Sequence, residues 1–306
     1  MVAQLCRDPV RVQVPASSAN IGPAFDSAAL AFDIVDDLVA MITDDDGVLI
    51  EVAGAGADSV PLDGSHLVAR SMVLGFAAMD AHPSGFILRC DNAIPHGRGL
   101  GSSAAAIVGG LALARALVVE GDTLLPDSML LQIAKSMESH PDNISAALYG
   151  GLTFAWTDES GVAGHIRLDL HPAIRPVIAV PESGLPTADA RATLPLEVAF
   201  DDAAFNVARS ALLLHALTAE PDHLMEATTD RLHQNCRRPM YGPSLDLVGA
   251  LRDNGVPAVI SGAGPSVLAL ASVPNMDLVA VLAGANWQVR PVQVAGHGVR
   301  TVPIGA

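Results

Sequence analysis

Residues 94 to 106 read Ile94-Pro95-His96-Gly97-Arg98-Gly99-Leu100-Gly101-Ser102-Ser103-Ala104-Ala105-Ala106. Three alternating glycines let a backbone come close to a ligand or to another segment. Two serines then open an apolar run, residues 102–119, that reads as a buried helix. The first N–H groups of a helix have no internal partners, and its macrodipole is positive there, so loop and helix together form a ready anion site. A Walker A loop is excluded, because no Gly-Lys-Ser/Thr follows the glycines. A dinucleotide fingerprint stays open. Gly99-Leu100-Gly101-Ser102-Ser103-Ala104 fits G-x-G-x-x-A, a strand at residues 85–90 precedes it, and Glu120 lies about twenty residues on. Against that reading, nothing separates a crossover helix from a second strand before Glu120. A tight loop whose glycines serve only packing is the third reading.

Composition narrows the choice. The 306-residue chain carries 33 acidic and 17 basic residues, a formal charge of −16. Such a surface repels nucleic acid and anionic lipid, so neither is an expected partner. It also means that an anionic ligand must be held by backbone N–H groups, a metal ion or a few well-placed arginines. Half the residues are apolar and 16% are charged, enough for a sizeable core. Cys6, Cys90 and Cys236 form neither a disulfide framework nor a metal-binding spacing, which fits a cytoplasmic setting. Residues 1–15 alternate apolar and polar and lack a signal-peptide core. The longest apolar stretch, residues 104–119, is interrupted by Arg115 and is too short to span a bilayer.

Along the chain, Val10-Arg11-Val12-Gln13-Val14 predicts a strand ending at Pro15. Residues 38–42 and 48–52 read as two strands around a solvated hairpin tip, Asp44-Asp45-Asp46-Gly47. Helices are expected at residues 66–79, 102–119, 128–137, 201–219 (Asp201 as N-cap), 222–234 and 244–254, the last stopped by Gly255. Residues 139–143 read as a loop. Further strands are expected at residues 177–180, 256–260 and 267–271. The mixture of strand and helix patterns argues for an α+β protein. A change of texture at residues 157–165 places a domain boundary at 158/159, giving domains 1–158 and 159–306.

Two more motifs flank the glycine loop. One is Pro15-Ala16-Ser17-Ser18-Ala19-Asn20-Ile21-Gly22-Pro23-Ala24-Phe25-Asp26; the other is Ser261-Gly262-Ala263-Gly264-Pro265-Ser266. In order and spacing the three resemble the motifs of the GHMP kinase superfamily. Within it the chain is most similar to the homoserine kinases, through residues 15–26, Glu138-Ser139-His140-Pro141-Asp142-Asn143, Gly150-Gly151, Thr187, Arg191, Leu194-Pro195 and Leu232-His233-Gln234 with Arg237. The resemblance covers essentially the whole chain. It implies a ribosomal-protein-S5-domain-2-like nucleotide domain, a C-terminal ferredoxin-like α/β sandwich, and a homodimer. The reaction it implies is transfer of the γ-phosphoryl group of ATP, with Mg²⁺, to the side-chain hydroxyl of L-homoserine.

By the same resemblance, Pro95, His96, Gly97, Arg98, Gly99, Leu100, Gly101, Ser102, Ser103, Ala104 and Ala105 form the nucleotide cradle. Ser103 and Glu138 hold the metal. Asn20, Asp26, Asn143, Arg191 and Arg237 bind the amino acid, with Asp26 facing its ammonium and the arginines its carboxylate. Asn143, Glu138 and His140 stand at the reacting centre, and residues 65–70 border the adenine. The implied kinase relies on alignment and the metal rather than on a dedicated base. Two positions depart from the pattern, Ala24 and Ser139, where glycine is usual. If either needs φ > 0, the substitution costs about 1 kcal/mol of strain. The competing functions are a kinase of another small alcohol, an ATP-binding sensor without turnover, and the dinucleotide oxidoreductase.

Overall fold

Val12, Val14 and Ala16 alternate onto one fully buried face of strand β1 (Val10–Ala19). The strand does not stop at Pro15 as expected. Its register against β2 (Ala28–Thr43) shifts between Pro15 and Ala16, which is where a residue without an N–H is tolerated. The computed structural model describes residues 3–182 and 192–304. Thr187 and Arg191 lie outside the described residues.

Strand β2 is longer than expected because its first half, from Ala28 to Phe32, is buried on both faces and shows no alternation. The expected hairpin between β2 and β3 (Gly47–Gly54) is absent. Helix α1 (Leu67–Ala78) crosses over to β4 (Gly85–Asn92), which inserts between them, antiparallel to β2 and parallel to β3. A parallel pair needs such a crossover. The acidic run at residues 44–46 is an exposed turn, where Arg7 meets Asp44 at 2.6 Å.

Helix α2 (Ser102–Ala116) is apolar nearly all round and therefore buried, between α1, the sheet and the next helices. A Cβ on Gly110 would sit 2.4 Å from the Val68 carbonyl, so glycine lets α1 and α2 approach. No strand follows α2. The chain continues into α3 (Asp127–Met137) and α4 (Pro141–Tyr149) and then the hairpin β5 (Leu152–Thr157) and β6 (Ala163–Leu168). This topology removes the dinucleotide reading, which needs a second parallel strand after the crossover helix. It also corrects the loop expected at residues 139–143: Pro141 opens α4, leaving Asn143 in its first turn.

The second sheet comprises β7 (Arg175–Pro181), β8 (Ala258–Ile260), β9 (Val267–Ala271) and β10 (Trp287–Pro291), in the order β10-β7-β9-β8, all antiparallel. Alternate residues of β7 face two cores. Val177 and Ala179 pack with helix α6 (Arg238–Asp253), while Ile178 and Val180 join the larger core that contains β1, β2 and α2. Strand β11 (Arg300–Val302) returns to pair with β1. The α+β architecture in two layers of sheet is as expected. The boundary at 158/159, however, would cut the β5–β6 hairpin, since β6 still belongs to the first sheet.

Three helix expectations need correction. Helix α5 (Phe200–Thr218) is preceded by Ala199 and has no side-chain cap, so Asp201 is not the N-cap. Only residues 224–227 of the expected 222–234 helix form. Beyond them Asp230 accepts the N–H groups of Leu232, His233 and Gln234, which folds the chain into a turn instead. Helix α6 starts at Arg238, earlier than expected, with a break at Tyr241 two residues before Pro243. Strands β6, β10 and β11 and helix α7 (Met276–Ala283) were not anticipated. Among the described residues no helix is long and apolar enough to cross a membrane.

Candidate active site

The loop before α2 places Gly97, Gly99 and Gly101 at φ of 62°, 71° and 70°, a region that L side chains rarely adopt. Gly101 is also crowded: a Cβ there would lie 2.1 Å from Ser17 Oγ and 3.2 Å from Asn143 Oδ1. Gly101 caps α2 in the left-handed conformation, with no side-chain cap and no acidic residue in the first turn. The N-terminal N–H groups of a well-buried helix thus remain open to an anion. Of the residues expected in the cradle, Leu100, Ala104 and Ala105 are buried in the core and offer only backbone. The Arg98 side chain is engaged by backbone carbonyls. It donates to the carbonyls of His96, Pro181 and Glu182, tying the loop to the end of β7.

The loop at residues 261–266 supports the first one from behind. Ser261 Oγ donates to the Gly99 carbonyl at 2.6 Å and meets Ser18 Oγ at 2.7 Å. Gly262 N–H donates to the Ala19 carbonyl and Ser266 N–H to that of Arg98. Asn20 closes the same junction. Its amide donates to the Gly262 carbonyl and its Oδ1 accepts the Asp26 N–H, both at 2.9 Å. Asn20 therefore holds Asp26 by the backbone rather than presenting itself to a ligand.

Beside the loop lies a cavity of about 280 Å³ between the N-termini of α1 and α2. Val60, Pro61 and Leu67 give it apolar walls; Ser65, His66, His96, Ser102 and Ser103 line it with polar groups. Part of the expected adenine border, residues 65–68, is in this wall. Asp36 fixes the entry of the loop, accepting the Ile94 N–H at 2.8 Å. Burial, partly offset by the N–H groups of Ile94 and Ala93, pushes its carboxyl up to about 6.

On the other side of Gly101 lies a second group of polar side chains. Ser17 Oγ donates to Asn143 Oδ1 at 2.8 Å. Four residues before Asn143 the chain turns at Ser139, and His140 Nε2 lies 3.3 Å from Asp26 Oδ2, each side chain about a quarter exposed. Phe25, next to Asp26, lies 4.9 Å from the His233 ring. His233 Nε2 donates to the Gly22 carbonyl at 2.8 Å, leaving Nδ1 to accept from buried Arg237 at 3.3 Å. His233 is kept neutral mainly by burial, and both Arg237 and Asp26 act on it electrostatically. The structure thus brings Asn143, His140, Asp26 and Arg237 together.

Glu138 ends α3, and its Oε2 is buried without a hydrogen-bond partner. Burial, and then the charge of Asp142, push its carboxyl up to about 7. A buried carboxylate oxygen with nothing to satisfy it suits a cation. Among the described residues no cluster of three or more His, Cys, Asp and Glu side chains forms a cage, so such a cation would take most of its ligands from elsewhere. That is the habit of Mg²⁺, which keeps water and phosphate oxygens.

Neither Ala24 nor Ser139 has positive φ, so the strain expected at these departures is not there. The left-handed non-glycine residues of this region are Asn20, Ile21 and Asp26. Roles for Ser17, Ser18 and Asp36 were not anticipated. The serines stand in the quoted motif, but nothing in the sequence says which residue a hydroxyl will meet.

The profile described as "GHMP kinases N terminal domain" matches residues 66–151, and that described as "GHMP kinases C terminal" matches residues 210–279. The chain is 46% identical to a homoserine kinase of Streptomyces avermitilis, over 97% of both chains. It is 47% identical to one of Mycobacterium tuberculosis, over 95% of this chain and 93% of that one. The crystal structure of homoserine kinase from Cytophaga hutchinsonii superposes with a TM-score of 0.84 at 23% identity, covering 99% of this chain and 100% of that one. Mevalonate diphosphate decarboxylase from Staphylococcus aureus shares the fold at a TM-score of 0.67 and 13% identity, over 96% and 98% of the two chains. With such identity over almost its full length, the chain belongs to the homoserine kinase family of the GHMP kinases.

Proposed function

We propose that the chain transfers the γ-phosphoryl group of ATP to the side-chain hydroxyl of L-homoserine, yielding O-phospho-L-homoserine and ADP. The observation that carries this reading is the clustering beside Gly101: Ser17 bonds Asn143, His140 three residues earlier in the same segment meets Asp26, and Phe25 next to Asp26 packs against His233 and Arg237. One side is an anion cradle. The other has a carboxylate and a guanidinium, the two charges that a zwitterion requires.

The division of labour follows the sheets. The first sheet and α2 hold the nucleotide, with the phosphates on the open N–H groups at residues 101–103 and the base in the cavity between α1 and α2. The changeover lies between β6 and β7. Asp26 receives the substrate ammonium, for which His140 is the present neighbour. Arg237, and Arg191 on the resemblance, receive the carboxylate. Asn143 Oδ1 accepts from Ser17, leaving its amide N–H groups to fix the reacting oxygens. Glu138 and Ser103 would hold Mg²⁺, which supplies charge neutralisation on the phosphates when bound.

Among the described residues no side chain is placed as a strong base. His140 faces Asp26, and an amide such as Asn143 does not take a proton. Alignment and charge stabilisation suffice for phosphoryl transfer, whose transition state asks little covalent chemistry of the protein. The test is ADP release from Mg·ATP in a coupled assay with L-homoserine, mevalonate, galactose and shikimate. Turnover with homoserine alone is expected. Turnover with another alcohol in place of homoserine would remove the roles given to Asp26 and Arg237, and ATP binding without turnover would make the protein a sensor.

A further inference from the structure

The cavity between α1 and α2 has more polar groups than the phosphates can use, and most of them are already engaged. Asp36 accepts the Ile94 N–H, Asn92 donates to the Ala55 carbonyl, and Ser65 Oγ donates to Asp63. Ser102 and Ser103 open α2 at the phosphate end. His66 and His96 remain. His96 belongs to the glycine loop, and its ring packs against Gly56, where a Cβ would lie 2.4 Å from it. His66 sits deeper, at the N-terminus of α1, only 5% exposed, and caps nothing.

The His66 ring has one informative atom. Nδ1 is sealed from solvent and has no hydrogen-bond partner. A buried N–H without an acceptor is rarer and costlier than a buried lone pair without a donor. The neutral tautomer that leaves only a lone pair at Nδ1 carries its proton on Nε2. Protonation of the ring would put an N–H at the sealed position, and burial together with the nearby His96 opposes it in any case. His66 is thereby fixed as a single hydrogen-bond donor in the wall of the cavity. A purine entering this cavity with its triphosphate at Ser102 and Ser103 would turn the edge farthest from its sugar toward His66.

Resting on the kinase reading above, we propose that His66 selects the nucleobase, its Nε2–H donating to the unprotonated N1 of adenine and excluding purines that carry a hydrogen there. Adenine offers a lone pair at N1; hypoxanthine and guanine present an N–H, which would face the imidazole N–H donor to donor. Rejection of a base that leaves a buried polar group unpaired is stronger than rejection by shape alone.

The test compares ATP, ITP and 1-deaza-ATP with the intact protein and with His66→Ala. The native protein should prefer ATP over both analogues by about 10²-fold in kcat/KM. His66→Ala should lower kcat/KM for ATP about tenfold or more, through the KM for ATP and not that for homoserine, and bring the ATP/ITP ratio close to one. An unchanged ratio in the variant overturns the proposal. Should His66→Ala fail to fold, 1-deaza-ATP on the native protein decides, since full activity with it leaves N1 unread and His66 without this role. Absence of any turnover with homoserine would instead defeat the kinase reading. Calorimetric binding of the same three nucleotides would still decide on His66, with equal affinities counting against it.

Discussion

The loops at residues 95–103 and 261–266 look alike in sequence, both rich in glycine and serine, and both place glycines at positive φ. Their hydrogen bonds separate them. In the second loop, Ser261 Oγ and the N–H groups of Ser261, Gly262, Gly264 and Ser266 all have partners in the protein. The first loop leads into a helix whose first N–H groups have none and whose cap is a bare glycine. Glycine content therefore marks close approach of backbones; what sets the first loop apart, as the one proposed to face a ligand, is its open helix N-terminus, since Ser266 Oγ in the second loop also lacks a partner but is sealed from solvent.

Substituting one glycine in each loop would break this comparison if it is wrong. Gly101→Ala combines φ of +70° with a Cβ 2.1 Å from Ser17 Oγ, itself fully buried and bonded to Asn143. It displaces the proposed cradle and Asn143 together, so kcat/KM should fall by about 10²-fold or more. Gly262→Ala has φ of +55° against it, and its Cβ would stand 3.2 Å from the Gly99 carbonyl, a tight contact that a shift of a few tenths of an ångström relieves. Its cost should appear as about 1 kcal/mol of stability with kcat/KM within about threefold of native. Steady-state kinetics and urea denaturation read both. Equal losses of turnover would mean that the two loops are not cradle and support.

Ser261→Ala sharpens the point with a smaller effect. The hydroxyl bonds the Gly99 carbonyl and Ser18 Oγ from behind, so its loss takes a partner from the buried Ser18 hydroxyl and from the part-buried Gly99 carbonyl. A cost of about 1–3 kcal/mol is expected, shared between stability and the set of the first loop. The kcat/KM for ATP should fall about tenfold while the KM for homoserine stays. A rise in the homoserine KM instead would place Ser261 on the substrate side.

The same distinction explains what the sequence made legible. The long buried helix α2, the alternation of β1 and the three-motif order were readable because periodicity and motif spacing are local, and they led to the right fold class and family. The insertion of β4 between β2 and β3 was not, since the crossover helix and the strand were both legible but nothing local says which neighbours a returning strand will pair with. The helix expected at residues 222–234 failed because Asp230 bonds three successive N–H groups, a side-chain competitor that helical spacing does not reveal. Within the site, His140, Asp26, Asn143 and Arg237 were named and do converge. Asn20 and Arg98 were named for ligands and instead bond backbone, because a residue type states what a group can do and not which partner reaches it first.

Asp36 offers the most delicate test, since it pins the entry of the first loop without touching its glycines. The folded state raises its carboxyl from 3.8 to about 6, mainly through burial, so the native protein holds this proton more tightly than the unfolded chain. Its favourable contribution is complete below pH 3.8 and is lost as pH rises through about 6. Two units correspond to about 3 kcal/mol between acid and neutral pH. Asn at this position keeps an oxygen for the Ile94 N–H and cannot ionise. Relative to native, Asp36→Asn should therefore gain stability progressively between pH 4 and pH 7, by up to about 3 kcal/mol in urea titrations, with kcat/KM changed by no more than about threefold. A stability difference that is flat with pH would show that the loop's entry is held by something other than this carboxyl. The support behind the glycines and the bonds of Arg98 to the Pro181 and Glu182 carbonyls would then anchor the cradle without it.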